Sequence, residues 1–318
     1  MVSRLDWNPK TGYSVVRCHW PCHETDFNMR NLLFKDAAPP ILLKGQLLKW
    51  IGNKQRFAGE IVSYFPARFG RYFEPFLGSG AVLATLAPQK ALGSDVFRPL
   101  IEIWETLRRS PETLKAWYAR RWGDFVSGDR AAEYEKVRMS FNAHPNGADL
   151  LFLCRSCYGG VVRFRKSDGH MSTPIGIHDP ITPGSFSRRV DEWHARTVGT
   201  DFLLLDYREA MGMARQGDLV YCDPPYRHSQ GILYGAQDFD LEHLLGIIQE
   251  CKTRGVYVAL SIDGTKRSGS HICDLPIPRG LFEREVFVSC GRSMLKRFQM
   301  NGRSLEAEHV ADRLLLTY

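Results

Sequence analysis

The stretch LVYCDPPY, residues 219–226, carries the residues whose types and spacing point most directly to chemistry. A short apolar run ends on the carboxylate of Asp223, and Pro224 and Pro225 then restrict the backbone. A carboxylate fixed in this way can accept a hydrogen bond from an exocyclic amine, while the carbonyl of Pro224 accepts the second proton. Both contacts aim the nitrogen lone pair at an electrophile. Tyr226 offers an aromatic face on which a base can stack.

The same four residues are also compatible with a surface turn, because Asp and Pro are common turn residues. The strongly apolar run LVYC before them favours the end of a buried strand instead. We therefore take Asp223, Pro224, Pro225 and Tyr226 as candidate catalytic residues.

A second stretch, EPFLGSG at residues 74–80, places Gly78 and Gly80 where a strand turns into a helix. Glycine permits a positive φ there and a close approach to a ligand. Asp95 ends the next strand pattern, ALGSD, where an acid commonly binds ribose hydroxyls. A GxG pair alone is also typical of a tight turn, but this order of elements favours a nucleoside-bearing cofactor. No third glycine and no Lys-Ser/Thr pair follows, so a P-loop is not indicated.

The elements that must position these residues fall into three zones. Residues 1–40 are polar and irregular and end in Ala37-Ala38-Pro39-Pro40, which indicates an N-terminal extension. Residues 41–107 and 200–318 alternate between strand and helix patterns, which predicts an α/β fold with a doubly wound sheet. Residues 108–199 read as an inserted region, mainly helix and loop. Ligands bind at the carboxyl ends of strands in such sheets, where both stretches lie.

Length and composition limit the class of protein to which the chain can belong. A chain of 318 residues with 44% hydrophobic content can bury a sizeable core. No run reaches the roughly 18 apolar residues that span a bilayer, and the start MVSRLDWNPKTGYS has no signal-peptide core. We therefore expect a cytoplasmic protein with no membrane partner. The net charge of +7 modestly favours a polyanionic partner.

Eight cysteines are scattered along the chain, and reduced thiols are expected. The stretches CHWPCH (residues 18–23) and CRSC (residues 154–157) could in principle form a zinc site. However, CRSC lies in a helical, apolar pattern, and CHWPCH lacks a second ligand pair at finger-like spacing. We expect no metal, and Cys222 is expected to pack as a small apolar residue.

Four stretches in order, at residues 47–57 (LLKWIGNKQRF), 74–83 (EPFLGSGAVL), 93–105 (GSDVFRPLIEIWE) and 221–226 (YCDPPY), resemble the Dam-type, alpha-order D12 class of DNA adenine-N6 methyltransferases. The resemblance runs from about residue 47 to the C terminus. It implies a Rossmann-like methyltransferase sheet with an inserted target-recognition subdomain. It also implies site-specific methyl transfer from S-adenosylmethionine to the exocyclic amine of an adenine flipped out of double-stranded DNA.

By this resemblance, Trp50 and Lys54 hold the methionine part of the cofactor together with the EPFLGSG loop, and Asp95 binds the ribose. Asp206-Tyr207 contacts the cofactor adenine, and Asp223 faces both the cofactor and the target amine. Asn53 stands where the family usually has a second glycine. The implied cofactor-binding residues are Trp50, Lys54, Glu74, Phe76, Gly78, Gly80, Asp95, Asp206, Tyr207 and Asp223.

The inserted region is expected to contact DNA. Residues 152–176 interleave basic and aromatic side chains, which suits base edges and phosphates, although a solvated basic loop would have the same composition. The candidate DNA-binding residues are Arg155, Tyr158, Arg163, Arg165 and Lys166, then Arg188 and Arg189, and near the C terminus Arg292, Lys296 and Arg297.

The sequence is also compatible with two other functions. The acceptor could be another amine, in cytosine, RNA or a protein side chain, although Asp before Pro-Pro-Tyr favours adenine and serine there would favour cytosine. A non-catalytic nucleic-acid-binding relative would be expected to lack Asp223, Tyr226 or the glycines, which are all present. A cognate restriction endonuclease is a candidate second partner, and a monomer or weak dimer is expected.

Overall fold

A computed structural model describes residues 6–7, 14–15, 43–225, 239–266, 271–272, 277–292 and 309–318. The chain divides into two compact units, Met1–Pro39 and Pro40–Tyr318. In the first unit, Asp6–Trp7 pairs antiparallel with Ser14–Val15. The fold below is that of the second unit.

The second unit is built on a mixed sheet whose strands lie in the order β3-β2-β1-β4-β5-β8-β7, with β6 pairing against β5. The five strands from β3 to β5 in this order are parallel, whereas β6, β7 and β8 pair antiparallel with their neighbours. The strands are β1 (Tyr72–Glu74), β2 (Ala91–Asp95), β3 (Thr200–Leu204), β4 (Leu219–Cys222), β5 (Tyr257–Lys266), β6 (His271–Ile272), β7 (Arg284–Arg292) and β8 (His309–Leu316).

The predicted α/β fold is confirmed at this level, as a mostly parallel sheet with an antiparallel end. The central strands are buried along their whole length, and every residue of β1, β2 and β4 is buried. Parallel strands covered on both faces need continuous apolar runs, which explains sequences such as LVYC in β4.

Helices cover both faces of the sheet. They are α1 (Ala58–Ser63), α2 (Ala81–Leu86), α3 (Arg98–Arg109), α4 (Pro111–Ser127), α5 (Arg130–Ala143), α6 (Gly147–Ser156), α7 (Pro183–Thr197), α8 (Tyr207–Gly212) and α9 (Leu241–Thr253). Tyr72 and Phe73 are consecutive in β1 and belong to two different apolar cores. The core that contains Tyr72 also holds the buried residues of α1 to α7, and the core that contains Phe73 holds those of α8 and α9.

Helix α7 lies in the inserted region of residues 108–199, which the sequence predicted to be mainly helix and loop. It begins after Thr182, whose Oγ1 accepts a hydrogen bond from the backbone N–H of Ser185 at 3.4 Å. Phe186, Val190 and Trp193 recur at helical spacing and are all buried. The apolar spacing that predicts a helix is therefore present in this part of the inserted region.

Helix α4 has no side-chain cap at its N-terminus. Ser110 does precede the helix, but its hydroxyl hydrogen-bonds the Thr113 hydroxyl at 2.7 Å and caps no backbone amide. Within the described part of the chain, no helix has the length and apolar character needed to cross a membrane.

Candidate active site

A cavity of about 280 Å³ lies at the carboxyl ends of β1, β2 and β4. Strand β1 is central, with β2 on one side and β4 on the other, so the strand order reverses at this point. Ligands in open α/β sheets bind at such a reversal. The lining residues are Trp50, Ile51, Gly52, Lys54, Glu74, Pro75, Phe76, Leu77, Gly78, Ser79, Ala81, Val82, Asp95, Val96, Asp206, Tyr207, Arg208, Tyr221, Asp223, Pro224, Pro225 and Phe239.

The glycine loop after β1 has the backbone conformation that its sequence predicted. Gly78 has a φ of +46° and Gly80 a φ of +59°, a region that side chains disfavour. A Cβ on Gly78 would lie 3.3 Å from the Trp50 ring, and a Cβ on Gly80 would lie 2.9 Å from the Trp104 ring. Gly78 lines the cavity, whereas Gly80 packs against Trp104 behind it.

Asp95 fixes this loop from the end of β2. One of its carboxylate oxygens accepts a hydrogen bond from the backbone N–H of Gly78 at 3.2 Å, and the other accepts one from Phe97 at 3.1 Å. The Trp104 indole N–H donates to the carbonyl of Gly78 at 3.2 Å. Asp95 is 6% exposed and lines the cavity beside Gly78.

Aromatic rings form another wall of the cavity. The rings of Phe76 and Tyr207 stack with centroids 5.2 Å apart, and Phe239 meets the Phe76 ring edge-on at 5.9 Å. The hydroxyl of Tyr207 lies 3.1 Å from Nδ1 of His243. Phe239 was missed from the sequence, because it stands in no motif and only folding brings it to the site.

Asp206 has a structural contact as well as a place on the cavity wall. Its carboxylate accepts hydrogen bonds from the backbone N–H of Arg208 at 2.9 Å and from the Arg208 side chain at 2.6 Å. The side chain of Glu209 accepts from the backbone N–H of Asp206 in return, which completes a capping box at the start of α8. The cap fixes Asp206 and Tyr207 at the rim of the cavity.

Lys54 lies between two carboxylates. Its Nζ is 2.9 Å from Oδ1 of Asp223 and 3.1 Å from Oδ2 of Asp312. Lys54 is only 5% exposed, and burial alone would lower its pKa. The two carboxylates outweigh that effect and hold the pKa of Lys54 well above its usual value, so the ammonium is charged.

Glu74 is a buried carboxyl beside this group. Burial is the main reason that its pKa rises to about 8, and the negative charge of Asp223 adds to the rise. The Tyr72 hydroxyl donates to Oε2 of Glu74 at 2.7 Å and opposes part of the shift. At neutral pH, Glu74 therefore carries a proton while Lys54 and Asp223 form an ion pair.

The structure brings most of the predicted catalytic and cofactor residues together. Nine of the ten predicted cofactor residues line the cavity, all except Gly80. Pro224 and Pro225 also line it. Tyr226 lies outside the described residues.

The prediction that Arg155 contacts DNA needs correction. Arg155 is 3% exposed, and its guanidinium donates to the carbonyls of Gln46 and Leu47 at 2.9 and 2.8 Å. Arg189 donates to the same Gln46 carbonyl at 2.9 Å and is half-buried. Arg155 on α6 and Arg189 on α7 therefore both bind the backbone of the segment that leads to Trp50.

The other candidate DNA contacts are more accessible. Phe164 pairs with Met171 in an antiparallel bridge, and the backbone N–H of Arg165 donates to the carbonyl of His170 at 2.9 Å, so residues 164–171 form a hairpin. Tyr158, Arg165, Lys166 and Arg188 are exposed, and Arg163 is half-buried. The side chain of Arg292 and the whole of Lys296 and Arg297 lie outside the described residues.

The cysteines of CRSC are buried free thiols. Burial raises the pKa of Cys154 to about 11 and that of Cys157 to about 12. Cys222 is also buried, with its Sγ 3.9 Å from the sulfur of Met211. Among the described residues there is no group of three or more potential metal ligands, and CHWPCH lies outside them.

The fold and cavity define an α/β protein whose ligand site lies at the strand-order reversal, a position where nucleotides commonly bind. The sequence model described as D12 class N6 adenine-specific DNA methyltransferase matches residues 50–276. The chain belongs to this family and is a DNA adenine-N6 methyltransferase. Membership of the family implies the use of S-adenosylmethionine.

Individual relatives agree with the family match. The chain is 30% identical to the retron Ec67 DNA adenine methylase of Escherichia coli over 256 residues, which cover 78% of this chain and 87% of that protein. It is 27% identical over 235 residues to a type II methyltransferase of Lactococcus lactis subsp. cremoris, covering 67% and 79% of the two chains. A DNA adenine methylase of Vibrio cholerae is 26% identical over 229 residues, which cover 67% of this chain and 79% of that protein.

Proposed function

We propose that this chain methylates N6 of an adenine flipped out of double-stranded DNA, with S-adenosylmethionine bound in the cavity between the ends of β1, β2 and β4. One observation carries the proposal. Lys54, Asp95 and Asp223 come from three distant parts of the sequence, and all three line this cavity. In this assignment the sheet is a Rossmann-like methyltransferase sheet.

The residues present fit the cofactor. Gly78, with no Cβ, leaves the space beside Trp50 open, and Asp95 is an acceptor suited to ribose hydroxyls. The stacked rings of Phe76 and Tyr207 offer an apolar, aromatic wall for an adenine. When bound, S-adenosylmethionine supplies a methylsulfonium, an electrophile that needs no further activation.

The residues of the chain then act mainly by alignment. Asp223 would accept one amine proton and the Pro224 carbonyl the other, which orients the nitrogen lone pair. Holding two reactants in line can supply up to about 7–11 kcal/mol in ideal cases. Attack leaves the nitrogen positively charged with both of its original protons, and ionised Asp223 can then take one of them and pass it to water. The charged Lys54, 2.9 Å away, keeps Asp223 ionised for this role.

We assign target recognition to residues 108–199, the region inserted between β2 and β3. The exposed hairpin of residues 164–171 carries Arg165 and Lys166, which suit phosphates or guanine edges. Flipping a base costs a few kcal/mol, and stacking on Tyr226 would offset about 1–3 kcal/mol of it. A cognate restriction endonuclease remains a candidate partner.

Purified protein tests the assignment. Labelled S-adenosylmethionine and unmethylated duplex DNA should yield label in N6-methyladenine after digestion to nucleosides. Asp95→Asn should weaken cofactor binding at least tenfold by calorimetry. Asp201→Asn is the matched control, because Asp201 lies on the neighbouring strand β3 and pairs with Arg71 and Arg108 away from the cavity. Equal affinity in the Asp95 and Asp201 variants would refute the cofactor assignment, and label in cytosine would refute the acceptor.

A further inference from the structure

Asp312 lies beside the candidate catalytic pair although it belongs to none of the motifs. It stands on β8, 258 positions after Lys54 in the chain, and its Oδ2 is 3.1 Å from Lys54 Nζ. It is 8% exposed. A carboxylate is rarely buried this deeply unless it is paired.

The sheet is irregular where Asp312 stands. Along β8, Ala311 pairs with Thr265 of β5 and Asp312 with Asp263, so the register skips Gly264. On the other side, Val310 pairs with Gly291 of β7 and Ala311 with Ser289. Each of the two strands that pair with β8 therefore has one extra residue opposite the segment 310–312. Bulges of this kind re-aim side chains and occur next to active sites.

The chemistry of Lys54 explains why a second carboxylate is useful. A buried ammonium is stable only while it is paired. Asp223 is the partner that must also accept the target amine, so its interaction with Lys54 changes during each turnover. Asp312 is not among the residues that line the cavity, so it can stay paired with Lys54 throughout.

We propose that Asp312 is a positioning residue that holds the Lys54 ammonium, charged, against Asp223. Through Lys54 it keeps Asp223 ionised and oriented for the amine. The catalytic part of this inference rests on the proposed function, whereas the pairing of Lys54 with Asp312 does not.

The charged groups around Lys54 determine in which direction the loss of activity at high pH should move when Asp312 is replaced. Asp223 faces Lys54 from the end of β4 and Asp312 from β8, Tyr221 lies nearby on β4, and the buried carboxyl of Glu74 interacts with Asp223. Burial lowers the pKa of Lys54, and the two carboxylates raise it. Removal of the Asp312 charge must therefore lower the pKa of Lys54, and activity that needs the ammonium must be lost at a lower pH.

Kinetics with saturating DNA and cofactor test the catalytic part. Asp312→Asn should lower kcat at least tenfold and move the basic limb of the kcat–pH profile to lower pH. Asp312→Glu keeps the charge and should retain the wild-type basic limb. Arg313→Gln is the control, because Arg313 is the next residue on β8 and its Nε pairs with Glu285 at 2.8 Å. An unchanged profile in Asp312→Asn, or the same loss in the Asn and Glu variants, would overturn the proposal.

A stability cycle tests the pairing without any turnover. Asp312→Asn should lower the melting temperature in the wild-type background but raise it in a Lys54→Met background, where Asp312 and Asp223 would otherwise repel each other. If the substitution shifts the melting temperature equally in both backgrounds, Lys54 and Asp312 are not coupled and the proposal fails. If Asp312→Asn alone does not fold, the double variant must still be more stable than Lys54→Met. Wild-type protein that methylates no adenine would refute the proposed function and leave this cycle unaffected.

Discussion

The Nζ atom of Lys54 lies 2.9 Å from Oδ1 of Asp223, and this contact joins two motifs that are 169 positions apart in the sequence. Asp223 follows β4, whereas Lys54 lies in the segment before α1. The pair is largely buried, with side-chain exposures of 6% and 19%. A fixed positive charge therefore lies next to the carboxylate that is proposed to accept the target amine.

Loss of either partner should abolish methyl transfer, but the two losses should differ in stability. Lys54→Met removes the ammonium that lies between the carboxylates of Asp223 and Asp312 and should cost about 3–5 kcal/mol of unfolding free energy. Asp223→Ala leaves Lys54 paired with Asp312 and should cost only about 1–3 kcal/mol. Urea denaturation of both variants measures the difference. A more stable Lys54→Met than Asp223→Ala would contradict the paired arrangement.

The two loop glycines should respond differently to alanine. Both substitutions force a side chain into the left-handed region, at a cost of roughly 1–2 kcal/mol. Gly78→Ala also places a methyl group 3.3 Å from the Trp50 ring on the cavity wall, so it should weaken cofactor binding. Gly80→Ala meets the Trp104 ring at 2.9 Å and should mainly lower stability.

Gly123→Ala is the control for these variants. Gly123 lies inside α4, and apart from its chain neighbours and the helix's own backbone no atom lies within 4 Å of the position that a Cβ would take, so alanine there should stabilise the helix by about 0.5–1 kcal/mol. Calorimetric titration and thermal melts separate the two effects. The same loss of cofactor affinity in the Gly78 and Gly80 variants would argue against this division of roles.

Glu74 should make stability depend on pH. Its pKa is about 8 in the folded protein, because of burial and the charge of Asp223, and close to 4.5 when unfolded. The unfolded chain therefore releases this proton first as the pH rises. Relative to Glu74→Gln, the wild type should lose stability between about pH 4.5 and 8, by at most about 1.4 kcal/mol per pH unit. The quantity to measure is the difference in unfolding free energy between the two proteins from pH 5 to 9. A difference that stays constant would show that Glu74 does not keep its proton in the folded state.

Two arginines of the inserted region should have opposite effects. Arg155→Ala removes two hydrogen bonds to the backbone of residues 46–47 from a buried guanidinium, and should cost about 1–3 kcal/mol of stability. Arg165→Ala alters an exposed side chain of the hairpin, so stability should stay within about 0.5 kcal/mol. DNA affinity should fall, and the slope of log affinity against log salt should decrease by about one. Fluorescence anisotropy at several salt concentrations provides this slope. A normal salt slope in Arg165→Ala would exclude a phosphate contact.

The parts of the fold and site that depend on local sequence were predictable. The runs that became β1, β2 and β4 are apolar and end in polar residues, and parallel strands bring such ends to one edge of the sheet. The positive φ angles of Gly78 and Gly80 also follow from a short strand-to-helix turn.

The remaining features depend on tertiary packing. Asp312 reaches Lys54 through the register of an antiparallel strand and two adjacent bulges, for which no local pattern exists. Phe239 joins the aromatic wall only when its segment folds against Phe76. Arg155 stands among basic and aromatic residues typical of a DNA-binding loop, yet it lies on the buried face of α6 and binds backbone carbonyls.

Methylation in cells tests the proposed reaction and the role of Asp223 together. We would express the protein in a host that lacks adenine methylation and map modified bases by single-molecule sequencing, with Asp223→Ala as the control. We expect N6-methyladenine at one short sequence with the wild type and none with the variant. Adenine methylation that persists in Asp223→Ala, or its absence with a folded wild-type protein that binds S-adenosylmethionine, would refute the proposed reaction.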